Sequence, residues 1–315
     1  MNGTRSRLEG LLRSGTFVVT AELGTVDSAD LAEVRRVAEP LRGVVDAVNC
    51  TDNSAAHVHL SPVAAARAAM DAGLEPIVQF TCRDRNRLAL QSDILGAAAL
   101  GVRNVECMTG DDVSAGDHPE ARASWDLDSL HLLRVARTMR DRGVFLSGRR
   151  LEGRPSYFLG AVENPFAPPQ DFRPLRLGKK IEAGAEFFQL QIAFNTGLLR
   201  SFMARVVDLG FDRRAFILPS VCVPRSARAL RYLRDEVPGV DVPEDVLARL
   251  ERALPERQAE ESIRMALETV AAIKEMPGVS GIHLIAIKWE EAIIRVAEEA
   301  GLLPRPELPA LEPAG

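Results

Sequence analysis

Residues 187–221 decide the fold: FFQLQIAF (187–194) is followed by TGLLRSFMARVVDL (196–209) and then by AFILPSV (215–221). The first and third runs are nearly continuously apolar, which is typical of parallel strands buried on both faces. The run between them has its apolar residues at helical spacing and ends before Gly210, a residue type that favours the left-handed position after a helix. The stretch therefore predicts a β-α-β unit of a parallel sheet.

The same alternation continues along the chain in both directions. The predicted strands are residues 17–23, 45–50, 76–82, 104–109, 157–162, 187–194, 215–221 and 281–288. The predicted helices are residues 30–41, 62–72, 87–100, 128–142, 175–183, 196–209, 226–235 and 256–276. Eight strands alternating with helices predict an α/β fold of the (β/α)8 TIM barrel type, for which about 250 residues are usual. A doubly wound open sheet is the rival fold, but no GxGxxG follows the first strand, which argues against a Rossmann nucleotide site.

The chain has 315 residues, more than a minimal barrel needs. Three segments account for the surplus: a polar hairpin-like loop at 147–155, an extra helix at 242–254 after the seventh strand, and a proline-rich tail at 303–315. We predict a single catalytic barrel over residues 1–302, followed by the tail. Asp128 is a predicted N-cap of the fourth helix and Gly143 its predicted stop.

The composition is that of a soluble globular protein, with 46% hydrophobic and 26% charged residues. The net charge of -5 argues against a nucleic-acid or membrane-surface partner, because either would need a basic face. No apolar run reaches the roughly 20 residues that cross a bilayer. The arginines near the N-terminus are not followed by the apolar core of a secretion signal. We therefore expect a cytoplasmic protein.

The cysteines and histidines do not indicate a metal site. The four cysteines are widely spaced without a CxxC pair, so we predict buried small side chains and no disulfide or zinc module. His57 and His59 follow the second strand, but no acidic or cysteine partner stands at ligand spacing. We predict no metal.

Polar residues near the carboxyl ends of the predicted strands indicate a site, because a TIM barrel carries its active site at that end. By strand alternation, four of them point into the barrel mouth: Glu22, Gln79, Asp111 and Gln191. On the fourth strand, Asp111 shares its face with Thr109 and Cys107. Each position by itself is as consistent with a polar interior layer or an exposed loop as with a functional site. As a set, the four predict one pocket.

Basic residues near two strands have two interpretations. Arg83 follows the third strand, and Lys180 lies on the helix before the sixth. They could bind a phosphate or carboxylate at the barrel rim, or they could form ordinary ion pairs at solvated helix ends.

The motifs together resemble the methylenetetrahydrofolate reductases, which are FAD-containing (β/α)8 barrels. The resemblance covers residues 17–301. It is carried by VTAE (19–22), VNCTDN (48–53), QFTCRDRN (79–86), TGD (109–111), KKIEAGA (179–185) and Gln191, seven residues past Gly184. It implies reduction of 5,10-methylenetetrahydrofolate to 5-methyltetrahydrofolate, a step of one-carbon metabolism and methionine biosynthesis.

The resemblance also implies roles for individual residues. Glu22 would be the general acid that opens the imidazolidine ring, Asp111 would bind the amino edge of the pterin beside the flavin, and Gln191 would hydrogen-bond the pterin ring. The implied FAD contacts are Lys180 at the diphosphate, Trp125 near the adenosine, and Asn49, Gln79, Thr109 and Asn164 around the isoalloxazine. The electron donor would be NAD(P)H or a redox partner protein, and the protein would be a homo-oligomer.

The chain departs from the family pattern at several positions. Ser220 and Val223 replace a glycine and a proline of the seventh strand, and Gln79 stands where many members have a histidine that faces the flavin. Two alternatives therefore remain. The barrel could be a flavin-free folate-binding reductase or methyl-group transferase, or it could be an auxiliary subunit of an iron–sulfur partner complex.

Overall fold

Eight parallel strands close into a barrel in which each strand pairs with the next along the chain and β8 pairs with β1. The computed structural model describes residues 4–306. The strands are β1 (Val18–Glu22), β2 (Ala47–Cys50), β3 (Pro76–Thr81), β4 (Asn104–Met108), β5 (Phe158–Glu163), β6 (Phe187–Ile192), β7 (Phe216–Cys222) and β8 (Gly281–Ile285). The predicted (β/α)8 barrel is confirmed, and all eight predicted strands are present.

Helices connect the strands and cover the outside of the barrel. Within the described residues they are α1 (Arg7–Arg13), α2 (Leu31–Ala38), α3 (Pro62–Asp71), α4 (Arg87–Ala99), α5 (Ser129–Arg142), α6 (Arg173–Ala183), α7 (Thr196–Asp208), α8 (Ala227–Glu236), α9 (Glu244–Arg252), α10 (Gln258–Lys274) and α11 (Glu290–Glu299). The extra helix predicted after the seventh strand is α9. Asp128 caps α5 by accepting a hydrogen bond from the backbone N–H of His131, and Gly143 ends that helix at φ +64°, as predicted.

The other two surplus segments are seen in part. The predicted hairpin-like loop at 147–155 pairs with the residues before it, through an antiparallel bridge between Val144 and Arg150. Of the predicted tail, residues 303–306 lie at the N-terminal end of the barrel, where Arg305 pairs with Asp46, and residues 307–315 lie outside the described part of the chain.

One end of the barrel is plugged with apolar side chains. Leu8, Leu11 and Leu12 of α1 pack against the inner residues at the starts of the strands, among them Phe158 and Phe187. The amphipathic pattern of α1 is too short to have been predicted as a helix. The opposite rim, at the carboxyl ends of the strands, is the open one, because Glu22 and Gln191 are partly exposed there.

Polar side chains fill the next layer of the interior. Thr20, Asn49, Glu106, Gln189 and His283 are all buried there. They are satisfied by bonding one another, since buried polar groups need partners. This layer forms the floor of the barrel mouth.

The cysteines are free and buried, as predicted. No helix between residues 4 and 306 combines the length and the apolar character needed to cross a membrane.

Candidate active site

Glu22 is the last residue of β1 and lies at the barrel mouth. Its face is the inner one, because Val18 packs in the inner apolar cluster and Thr20 bonds His283 of the adjacent β8 inside the barrel. The carboxyl is half-buried, and burial alone raises the pKa of Glu22 to about 7. A carboxyl with such a pKa is partly protonated at neutral pH and suited to general acid catalysis.

The end of β7 lies near Glu22. Burial, and then the neighbouring charge of Glu22, raise the pKa of the Cys222 thiol. Cys222 is therefore a protonated, buried neighbour of the carboxyl and not a reactive thiolate.

Asp111 lies in the loop after β4, at the same rim of the barrel. The chain turns at Gly110 (φ +96°), where a Cβ would stand only 3.1 Å from the side chains of Arg83 and Thr81. Burial raises the pKa of Asp111, and the positive charge of Arg83 acts in the opposite direction. Asp111 is thus a half-buried acid held above the end of β3.

The face predicted for the fourth strand is wrong. Cys107 packs in the outer layer between strands and helices, whereas Glu106 points into the barrel. Strand alternation holds only within β4, which ends at Met108, and the turn at Gly110 then reorients the chain. The face of Asp111 could not be extrapolated across that turn.

Gln191 and Asn164 both hold the segment that joins α8 to α9. The amide of Asn164 donates to the carbonyl of Gly239 at 2.8 Å, and that of Gln191 donates to the carbonyl of Pro238 at 3.4 Å. Asn195 adds a bond to Asp241 at 2.8 Å. We call residues 237–242 the strap, because three amide side chains hold it across the β5–β6 side of the mouth.

Asn49 and Gln79 belong to the floor. Asn49 is fully buried and pairs with Gln189 through both ends of its amide. The amide of Gln79 donates to Glu106 at 2.9 Å. Burial raises the pKa of Glu106 to about 7, against the hydrogen bond from Gln79 and the positive charge of Lys180.

Lys180 is enclosed behind β5. Its ammonium lies 3.0 Å from Glu163 and donates to the carbonyl of Val162, and burial lowers its pKa. Arg173 and Arg176 also approach Glu163, at 3.7 and 3.4 Å. Three cations around one carboxylate leave a net positive cluster, and Arg176 is its most exposed member.

The remaining predicted residues lie on the rim loops. Thr109 accepts a hydrogen bond from the backbone N–H of Ser129 at 3.2 Å, and Trp125 is 41% exposed with φ +43°. Arg83 is buried before the start of α4 and pairs with its neighbour Asp84 at 2.7 Å, so it forms an ion pair, but not at a solvated helix end. No cluster of three or more metal-ligating His, Cys, Asp or Glu side chains occurs in the part of the chain that the structure describes.

Two interior residues were not among those selected from the sequence. Glu106 stands in the strand run NVECMT and His283 in GIHLIAIK, each an ionisable residue with apolar neighbours on both sides. Burial of an ionisable side chain in a strand costs free energy and needs a reason. The presence of Glu106 and His283 in buried strand runs could therefore have identified them from the sequence.

The sequence matches the family model of the methylenetetrahydrofolate reductases over residues 29–301. The chain belongs to the methylenetetrahydrofolate reductase family. The resemblance inferred from its motifs is therefore confirmed, while the roles of Glu22, Asp111 and Gln191 stay predictions.

One curated protein is similar in sequence. Methylenetetrahydrofolate reductase 2 of Schizosaccharomyces pombe is 25% identical over 238 residues, which are 72% of this chain and 36% of that protein. The chain thus spans little more than a third of the length of this relative.

Solved structures share the barrel. A Clostridium thermocellum protein that binds two copies of 5-methyl-5,6,7,8-tetrahydrofolic acid superposes with a TM-score of 0.66 at 13% identity, covering 95% of this chain and 100% of that one. EDTA monooxygenase from Chelativorans gives a TM-score of 0.53 at 12% identity, covering 92% and 95%. At such identities the likeness shows the fold alone.

Proposed function

We propose that the protein reduces 5,10-methylenetetrahydrofolate to 5-methyltetrahydrofolate at the mouth of the barrel. The proposal is supported by membership of the reductase family and by the half-buried carboxyl of Glu22 at the open rim. The observation that carries it is the position of Glu22 on the inner face of β1 at the barrel mouth, where burial raises the pKa of its carboxyl to about 7.

Glu22 has the properties that ring opening requires. The imidazolidine ring opens when N10 takes a proton as its bond to the methylene carbon breaks, leaving an N5 iminium that accepts hydride. A protonated carboxyl at the mouth supplies that proton, and its pKa near neutrality keeps the acid form available. After ring opening Glu22 is a carboxylate, whose negative charge stabilises the iminium.

Asp111 and Gln191 would orient the pterin from the other sides of the rim. The carboxylate of Asp111 accepts hydrogen bonds, which suits the amino edge of a pterin. The amide of Gln191 holds the strap through a long bond of 3.4 Å, so exchange of that bond for one to the pterin costs little.

A reduced flavin would supply the hydride when bound. The donor set fits its diphosphate, because the cluster around Glu163 carries three cations for one carboxylate. Arg176 is exposed enough to contact a phosphate directly. Lys180 is enclosed and would contribute only the attraction of its positive charge. Gln79, Thr109 and Trp125 would contact the ring and adenosine from the floor and the rim loops.

The test is Glu22→Gln, which keeps the shape of the side chain and removes its acid. Bound flavin should be retained, and reduction of methylenetetrahydrofolate should fall by about 10²–10⁴-fold, the usual loss with a general acid. Glu33→Gln on the exposed face of α2 is the matched control and should keep wild-type turnover. Near-normal turnover of the Glu22 variant would refute the assignment.

The second candidate is a flavin-free folate barrel acting as a reductase or methyl-group transferase. It is favoured by the burial of Asn49 and the enclosure of Lys180, since two of the predicted flavin contacts have their polar groups bonded within the chain. The visible absorption spectrum of the purified protein, before and after FAD is added, separates the candidates. A flavin band that persists after gel filtration supports FAD, and its absence supports the flavin-free barrel.

The electron donor and the assembly are part of the proposal. We expect electrons from NAD(P)H or from a redox partner protein, and a homo-oligomer. Anaerobic bleaching of the bound flavin by NADH or by NADPH would identify a nucleotide donor, and bleaching by neither would indicate a partner protein. Light scattering gives the number of copies.

A further inference from the structure

Glu106 lies under the barrel mouth and has no part in the mechanism proposed above. Its carboxyl is fully buried and accepts a hydrogen bond from the Gln79 amide at 2.9 Å. Nδ2 of Asn49 is 3.5 Å from the same oxygen, and one terminal atom of the Gln189 amide lies 3.1 and 3.2 Å from the two carboxyl oxygens. One carboxyl therefore meets three amides.

The Gln189 amide can face Glu106 in two orientations. With its NH2 group toward Glu106, it donates to an ionised carboxylate, and its oxygen faces Thr20 at 3.2 Å and His283 at 3.3 Å. With its oxygen toward Glu106, the contact requires a proton on the carboxyl, because two oxygens without a proton repel. Asn49 bonds both ends of this amide, so the two amides must turn over together.

The charged groups around Glu106 are few. Lys180 on α6 is the cation that acts on it, and β5 brings Gly160, which has no side chain, to the adjacent register position. The facing side chains of β2, β3 and β6 are the neutral amides. His283 on β8 lies beyond them, and burial lowers its pKa to about 3, so it is neutral at physiological pH. Burial dominates at Glu106 and raises its pKa to about 7, which makes both protonation states accessible.

We propose that Glu106 is a positioning residue whose proton sets the orientation of the Asn49 and Gln189 amides, while Oε2 of Glu106 fixes the amide of Gln79. Since the NH2 group of Gln79 is held by Glu106, its carbonyl oxygen turns away from Glu106 and is presented as an acceptor. The site at the floor therefore takes a heterocycle with a ring N–H at this point. The identity of that heterocycle as folate or flavin rests on the proposed function. The coupled reorientation of the Asn49 and Gln189 amides does not, because it occurs in the protein without ligand.

The experiment uses the full chain without ligand. Protein labelled with ¹⁵N in its asparagine and glutamine side chains is titrated from pH 5.5 to 8.5, and the NH2 resonances of Asn49 and Gln189 are followed together with the ¹³C signal of the glutamate carboxyls. We expect both amides to shift with one midpoint, which coincides with that of the Glu106 carboxyl. Glu106→Gln, which has the hydrogen-bonding pattern of a protonated carboxyl, should lose the shift.

Glu22→Gln is the matched control, because it removes the other carboxyl of the mouth and should leave the amide shift intact. An unchanged shift in Glu106→Gln, or loss of the shift in Glu22→Gln, would overturn the proposal. If Glu106→Gln does not fold, the wild-type titration decides: amide midpoints that differ from every buried carboxyl midpoint contradict the switch. None of these NMR measurements depends on folate turnover. Failure of the proposed function can therefore be distinguished from failure of the proposed role of Glu106.

Discussion

Glu22 and Glu106 show how burial changes the chemistry of one residue type. Both have a pKa that burial raises to about 7, yet Glu22 stands at the open rim and Glu106 beneath it. Only the carboxyl at the rim can deliver a proton to a bound substrate, since proton transfer needs direct contact or one water. Position along the barrel axis, and not acidity, separates their proposed roles.

The proposed role of Glu22 predicts how turnover depends on pH. A general acid is active in its protonated form, so the rate of methylenetetrahydrofolate reduction should fall as the pH rises above about 7, by about tenfold per pH unit. Steady-state kcat from pH 6 to 9 measures this. Glu33→Gln should follow the wild-type profile, and a wild-type rate that increases from pH 7 to 9 would contradict the assignment.

Gly160 is required because a side chain at this position would overlap the ring of Phe187. A Cβ at this position of β5 would lie 2.6 Å from two ring carbons of Phe187, which stacks on Phe158 with ring centroids 4.9 Å apart. Gly160→Ala should therefore lower the free energy of unfolding by about 1–3 kcal/mol, as overpacked cores do.

A second glycine gives the control for this prediction. Gly96 lies within α4, and a Cβ there meets nothing within 4 Å. Gly96→Ala should raise stability by about 0.5–1 kcal/mol, because alanine is the better helix former. Urea unfolding of both variants provides the comparison, and equal stability of the two would show that the interior has room at Gly160.

At the scale of elements, three amide side chains bind the strap, residues 237–242, to the rim. Asn164→Ala removes the bond to Gly239, so the amides of residues 237–242 should exchange with solvent about fivefold faster, as expected for loss of about 1 kcal/mol. Hydrogen exchange followed by mass spectrometry measures this, with the peptides of α5 as internal reference. Unchanged exchange would mean that the bond from Asn164 does not hold the strap.

The sequence predicts the elements better than it predicts the faces they present. Alternating strands and helices, the cap at Asp128 and the stop at Gly143 follow from local rules, and each is observed. Glu106 was missed because the inner face of β4 was inferred from Asp111, beyond the turn at Gly110. Enclosure of Lys180 depends on Glu163, a contact between separate elements that local pattern does not encode.

For the molecule as a whole, the two ends of the barrel have different tasks. The N-terminal end is closed by the leucines of α1 and by the ion pair of Arg305 with Asp46, whose side chains are 6% and 0% exposed. Asp46 also accepts a hydrogen bond from the backbone N–H of Val19 at 2.8 Å. Residues distant in sequence thereby close the end of the barrel that carries no proposed chemistry, and the opposite rim remains free for ligands.

This closure predicts a large loss of stability in Arg305→Ala. The variant leaves the carboxylate of Asp46 buried, with the hydrogen bond from Val19 and the more distant Arg7 at 3.4 Å, and should lower the free energy of unfolding by about 3 kcal/mol. Asp46→Asn combined with Arg305→Ala removes the uncompensated negative charge of Asp46 and should restore part of the lost free energy of unfolding. Arg231→Ala breaks an exposed pair with Glu251 and should cost less than about 1 kcal/mol. Urea unfolding curves compare the three, and a cost for Arg305→Ala as small as that of Arg231→Ala would mean that the pair does not close the barrel.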